Sequence, residues 1–123
     1  MDEREVMQFA CGLPKTQCDC PFEGDSETTV LRHTDTGKWF GLLMRVSPRS
    51  FGETGEEPLS VLNLKCDPEL AFELRESYRA VRPAYHMNHF HWVSVLLGSD
   101  LPDEMLREMI QNSFALASGK KKH

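Results

Sequence analysis

Residues 28–46 read Thr-Thr-Val-Leu-Arg-His-Thr-Asp-Thr-Gly-Lys-Trp-Phe-Gly-Leu-Leu-Met-Arg-Val, two strand-like runs around a turn. Thr28 to His33 is short and rich in β-branched residues. Thr34-Asp35-Thr36-Gly37 supplies the turn, its glycine free to take the positive φ that such turns need. Lys38 to Val46 then sets Phe40, Leu42, Met44 and Val46 on one face at period two. This predicts a β-hairpin with one buried face, and the rest of the chain is read against it.

Upstream, Asp2 is a competent helix N-cap, with Glu3 and Glu5 near the positive end of the dipole. Val6, Phe9, Ala10 and Leu13 follow on one helical face until Gly12 and Pro14 end it. Residues 15–27 are polar and read as a loop. Downstream, Ser47 to Pro58 predicts a mobile surface loop, and Leu59 to Lys65 a further strand. Asp67-Pro68 starts a second helix, with Leu70, Leu74 and Tyr78 along one face, closed by Arg82-Pro83. Tyr85–Met87 and His91–Leu97 suggest a second hairpin turning through Asn88 and His89. Pro102 opens a last helix in which Met105, Leu106, Met109, Ile110 and Phe114 make a broad apolar stripe. The order α-β-β-β-α-β-β-α predicts a single compact α+β domain over residues 1–118. Its antiparallel sheet comes from two hairpins plus a middle strand, with three helices. Residues 119–123 are expected to form a flexible basic tail.

The chain has 123 residues, one domain's worth, with 40% hydrophobic residues. Fourteen Lys+Arg against nineteen Asp+Glu leave a net charge of -5, which excludes a histone-like polybasic protein. The excess is confined to residues 1–60; the second half is neutral and carries Arg75, Arg79 and Arg82 followed by His86, His89 and His91. No apolar run approaches the roughly 18 residues that span a bilayer, and the start lacks a signal-peptide pattern. A cytoplasmic protein with no membrane partner is the expectation.

In that compartment Cys11, Cys18, Cys20 and Cys66 are expected to be thiols, and Cys18-Asp19-Cys20 is too small a motif for a zinc knuckle pair. His86, His89 and His91 could supply part of a metal site, with His89 and His91 on one face of a strand. No acidic or thiolate ligand stands close by in sequence. Elbow, phosphate-loop, zinc-protease and dinucleotide motifs are absent, and Ser94 and Ser113 have no catalytic context, so no enzymatic activity and no cofactor are expected. Aromatic and basic residues alternate at Lys38-Trp39-Phe40 and along Tyr85–Trp92, a mixture suited to nucleic acid: cations meet phosphate while rings pack on sugar or base.

Val61-Leu62-Asn63-Leu64-Lys65-Cys66-Asp67-Pro68-Glu69-Leu70, Val81-Arg82-Pro83-Ala84-Tyr85-His86-Met87-Asn88, His91-Trp92 and Leu101-Pro102-Asp103-Glu104 resemble the MmcQ/YjbR family. Gly12-Leu13-Pro14 and Pro21-Phe22 extend the resemblance over nearly the whole chain. The resemblance implies a CyaY-like α+β fold, also likened to a double-wing DNA-binding domain. DNA binding is the activity commonly attached to members, and no catalytic residues carry over. One departure stands out: the family's usual Lys-Lys pair is replaced by His89 and Phe90.

The leading expectation is a non-catalytic protein that binds double-stranded DNA weakly and salt-sensitively. Lys38, Lys65, Arg79, Arg82, His86 and His91 would form a phosphate-facing patch, with Asn88 and His89 at a wing tip. Two alternatives are a metal- or small-ligand-binding module built on His86, His89 and His91, and a protein-interaction domain anchored by Trp39 or Trp92.

Overall fold

The structure, a computed structural model, describes residues 1–19 and 28–118. Helix α1 (Glu3–Cys11) begins where local chemistry dictates. The Asp2 side chain accepts from the Glu5 N–H and the Glu5 carboxylate accepts from the Asp2 N–H, a complete capping box. Strands β1 (Thr16–Asp19), β2 (Thr29–His33) and β3 (Trp39–Val46) follow, then β4 (Leu59–Lys65), helix α2 (Pro68–Ser77), β5 (Val81–Pro83), β6 (Trp92–Leu96) and helix α3 (Asp103–Ala117). The six strands form one antiparallel sheet in the order β1-β2-β3-β4-β6-β5. This is the predicted α+β architecture with one strand more.

That extra strand, β1, lies in the stretch predicted as loop. Its four residues alternate too little to announce a strand, and its order comes from pairing with β2 as the sheet's edge. A second correction accompanies it: Cys11 and Cys18 are joined in a disulfide, not left as thiols. The tight turn at residues 12–15 folds β1 back beside the end of α1 and brings the two Cα atoms to 6.3 Å, within bridging range. Cys20 and the 119–123 tail lie outside the described residues.

The first hairpin closes as predicted. Gly37 takes φ 73°, its N–H donates to the His33 carbonyl, and the His33 N–H donates to that of Lys38. The inward face of β3, however, is not Phe40-Leu42-Met44-Val46. Leu31 pairs with Gly41 but Arg32 pairs with Trp39, so Phe40 is the extra residue of a β-bulge. The bulge turns Phe40 to the helix-covered side, where it packs with Leu31, Leu43, Leu62, Leu64, Val93 and Val95 against all three helices. Leu42, Met44 and Val46 stay on the opposite face with Val61 and Leu96.

The second face has its own cover. The segment predicted as a mobile loop starts with a 3₁₀ helix, Pro48–Phe51, stopped by Gly52 at φ 71°. Phe51 packs onto the second cluster beside Tyr85, their ring centroids 5.9 Å apart. The second hairpin also differs from its prediction. Its first strand is Val81–Pro83, four residues earlier than expected, and residues 84–91 form an irregular connection to β6. His86 there takes φ 58°, a left-handed conformation that no strand residue can hold.

Glu3 joins α1 to the sheet. Arg45 Nε lies 3.2 Å from its carboxylate and Ser60 Oγ 2.5 Å, and these two hydrogen bonds hold its pKa below the ordinary 4.5, with Arg45 the larger influence. A depressed folded-state pKa stabilises above the unfolded value, and that contribution fades as pH falls through the folded one. Glu3→Gln is therefore expected to be less stable than wild type at neutral pH, the gap closing in acid. Denaturant midpoints measured along a pH series check this.

Candidate nucleic-acid interface

The strand register divides the predicted patch. Gly41 is level with Leu64, Leu64 with Val93, and Val93 with Pro83. One end of the sheet therefore gathers the residues just beyond these positions. They are Lys38 before β3, Lys65 at the end of β4, His91 before β6, and the 84–91 connection carrying His86, Asn88 and His89. Arg79 lies at the opposite end, since Val81 is level with Val95 and the Ala80 carbonyl accepts from the Leu96 N–H. There the N–H groups of Arg79 and Ala80 both donate to Asp100, at 2.9 and 2.8 Å, and these bonds lower the Asp100 pKa.

Arg82 belongs to neither end. It is level with Ser94, on the face opposite the helices, and its guanidinium is engaged as a strut. Nε donates to the Arg79 carbonyl, one terminal nitrogen to the Phe51 carbonyl at 2.9 Å, and the other to Glu53 at 3.0 Å. This ties the Pro48–Phe51 turn to the edge strand. Its charge is therefore shared with Glu53 rather than offered whole to a phosphate.

At the gathered end, Lys38 is exposed and Lys65 half-buried, with Nζ 5.8 Å from the Trp92 ring centroid. Lys65 and Trp92 are a cross-strand pair, so the cation lies over an indole that is itself 8% exposed. Trp39 is half-buried. His86, Asn88, His89 and His91 are exposed. The tip is shaped by Asn88: its Oδ1 accepts from the Phe90 N–H at 2.7 Å and its carbonyl from the Trp92 N–H at 3.0 Å. That turn holds Phe90 outward at 69% exposure, between two imidazoles.

The geometry does not assemble the histidines into a metal site. The histidines sit on an irregular connection, not on one strand face, and among the described residues no three His, Cys, Asp or Glu side chains converge as ligands. Cys66, beside Lys65 and His91 at a shallow cleft of about 300 Å³, is buried. Burial, then the neighbouring Asp67, pushes its thiol up to about 11, partly offset by Arg75. A protonated thiol is a poor nucleophile at neutral pH. No helix among the described residues is long and apolar enough to cross a membrane.

Three residues that shape this region had gone unassigned. Buried Asn63 donates through Nδ2 to the Tyr85 carbonyl at 3.0 Å and accepts from Ser94 Oγ; Ser94 Oγ in turn accepts from the Tyr85 N–H at 2.8 Å. Ser113, on α3, donates to the Phe40 carbonyl and accepts from the Lys65 N–H at 2.8 Å. These closed polar sets position Tyr85 and Lys65. Their signal is a lone polar residue inside an apolar run, as in Val-Leu-Asn-Leu and Val-Ser-Val.

A family model described as YjbR matches residues 11–116. The Bacillus subtilis protein YyaQ is 39% identical over 101 residues, covering 82% of this chain and 85% of its own length. Escherichia coli YjbR is 34% identical over 99 residues, covering 80% of each. A Pseudomonas syringae protein solved by crystallography superposes with a TM-score of 0.89 at 35% identity, over 95% of this chain and 99% of the other. A Deinococcus radiodurans crystal structure gives 0.74 at 28% identity, over 98% and 80%. With the same fold and a match spanning nearly its whole length, this chain belongs to the YjbR family.

Proposed function

We propose that this protein is a non-catalytic DNA-binding protein that meets the duplex with the end of the sheet holding Lys38, Lys65 and the 84–91 connection. The observation that carries the reading is the convergence of two lysines, three exposed imidazoles and an outward Phe90 on that one end. Lysines neutralise phosphate; an exposed ring packs on sugar or base. Asp35 and Asp67 stand near the two lysines in sequence, and the chain is acidic overall, so the contact is modest.

With Arg79 at the far end and Arg82 held by Glu53, the patch offers about two to four phosphate contacts, which sets a log–log salt slope of roughly −2 to −4. Fluorescence-anisotropy titration of a labelled duplex at low and moderate salt measures it. Affinity that ignores salt, or no binding at low salt, removes the proposal.

A further inference from the structure

We propose that the groove between the Pro48–Phe51 turn and the 84–89 connection is a pocket for a single unpaired nucleobase, which deepens the DNA-binding reading and rests on it. The groove holds about 400 Å³, within the range of small-ligand clefts, and contains Phe51, Arg82, Tyr85, His86 and His89. Its wall is aromatic: Phe51 and Tyr85 centroids are 5.9 Å apart, and Tyr85 and His86 only 3.9 Å. A planar base can extend that series by stacking, which tolerates any base because each has a π-face.

Two further observations point to a ligand. His86 holds φ 58°, a conformation costly for a residue with a Cβ, and such strain gathers at binding sites. Arg82 uses three of its five N–H donors on Arg79, Phe51 and Glu53, leaving two for a base edge or a phosphate. The pocket is continuous with the proposed duplex-facing end, because the same connection carries His86 into the groove and Asn88 and Phe90 onto the tip. Stacked bases in an intact duplex cannot enter it, whereas a single strand can place one there.

The test compares a short mixed-sequence single strand with its duplex, for wild type and His86→Gly. Glycine adopts positive φ freely, so the variant keeps the fold, and thermal melting verifies it. Wild type is expected to prefer the single strand, and His86→Gly to lose roughly tenfold or more in single-strand affinity, the scale of one stacked base, against a much smaller loss for the duplex, so that the preference collapses. Equal wild-type affinity for both forms, or an unaltered single-strand preference in the variant, overturns the pocket while leaving duplex binding intact. Binding of neither form overturns both readings together.

Discussion

Phe40→Ala is expected to lower stability by about 3–5 kcal/mol, a drop in Tm of roughly 10–20 °C. Phe40 is fully buried. Its ring meets Phe114 edge-on at 5.2 Å and His33 at 5.4 Å, so truncation empties space between the sheet and α3. His33 cannot follow the cavity, because its Nε2 donates to the Phe114 carbonyl at 2.8 Å. Ser113 pins the Phe40 backbone from the same helix, limiting collapse further. Phe72→Ala is the matched control: Phe72 is 58% exposed on α2, and its loss should change stability by less than about 0.5 kcal/mol. Chemical denaturation of the two variants separates them. Equal small losses would mean that the bulge does not turn Phe40 into the main core.

The second large effect belongs to Asn63. Asn63→Ala strips Ser94 Oγ of its acceptor and the Tyr85 carbonyl of its donor in a site closed to water, at a cost of about 2–4 kcal/mol. Because Asn63 and Ser94 serve one closed set, the double variant with Ser94→Ala should lose clearly less than the two singles added. Additive losses would show that the set does not act as a unit. Loosening it also frees Tyr85, so single-strand binding should weaken beyond what the stability loss accounts for.

Local chemistry was legible along the chain wherever it acted alone. Asp2 with Glu5 starts α1, Gly37 turns the first hairpin, Asp67-Pro68 precedes α2, and Leu106, Met109 and Ile110 line the inner face of α3. What escaped depends on partners distant in sequence. Phe40 changes face because β2 and β3 slip by one residue, a property of their pairing that period two along β3 cannot reveal. Thr16–Asp19 becomes a strand because β2 is there to pair with it, and the turn beside it brings Cys11 to Cys18. Pro83 reads as a helix stop, yet it ends an edge strand, where a missing N–H is tolerated.

The candidate site follows the same rule. Residue types marked Lys38, Lys65, Arg79, Arg82 and the histidines as one set, but strand order decides which of them can meet one surface. It sends Arg79 to the far end and turns Arg82 into a strut for the Phe51 turn. Asn63, Ser94 and Ser113 drew no role from the sequence because their partners, backbone groups and one another, lie far apart along the chain.

That division of the charges is the most exposed part of the account, and one titration reaches it: the salt slope of duplex binding by Lys65→Gln set beside that of Arg79→Gln. Lys65→Gln should weaken binding and reduce the slope by about 1, while Arg79→Gln leaves both unchanged. A reduced slope in Arg79→Gln, with Lys65→Gln behaving as wild type, would place DNA at the other end of the sheet and contradict the proposed interface.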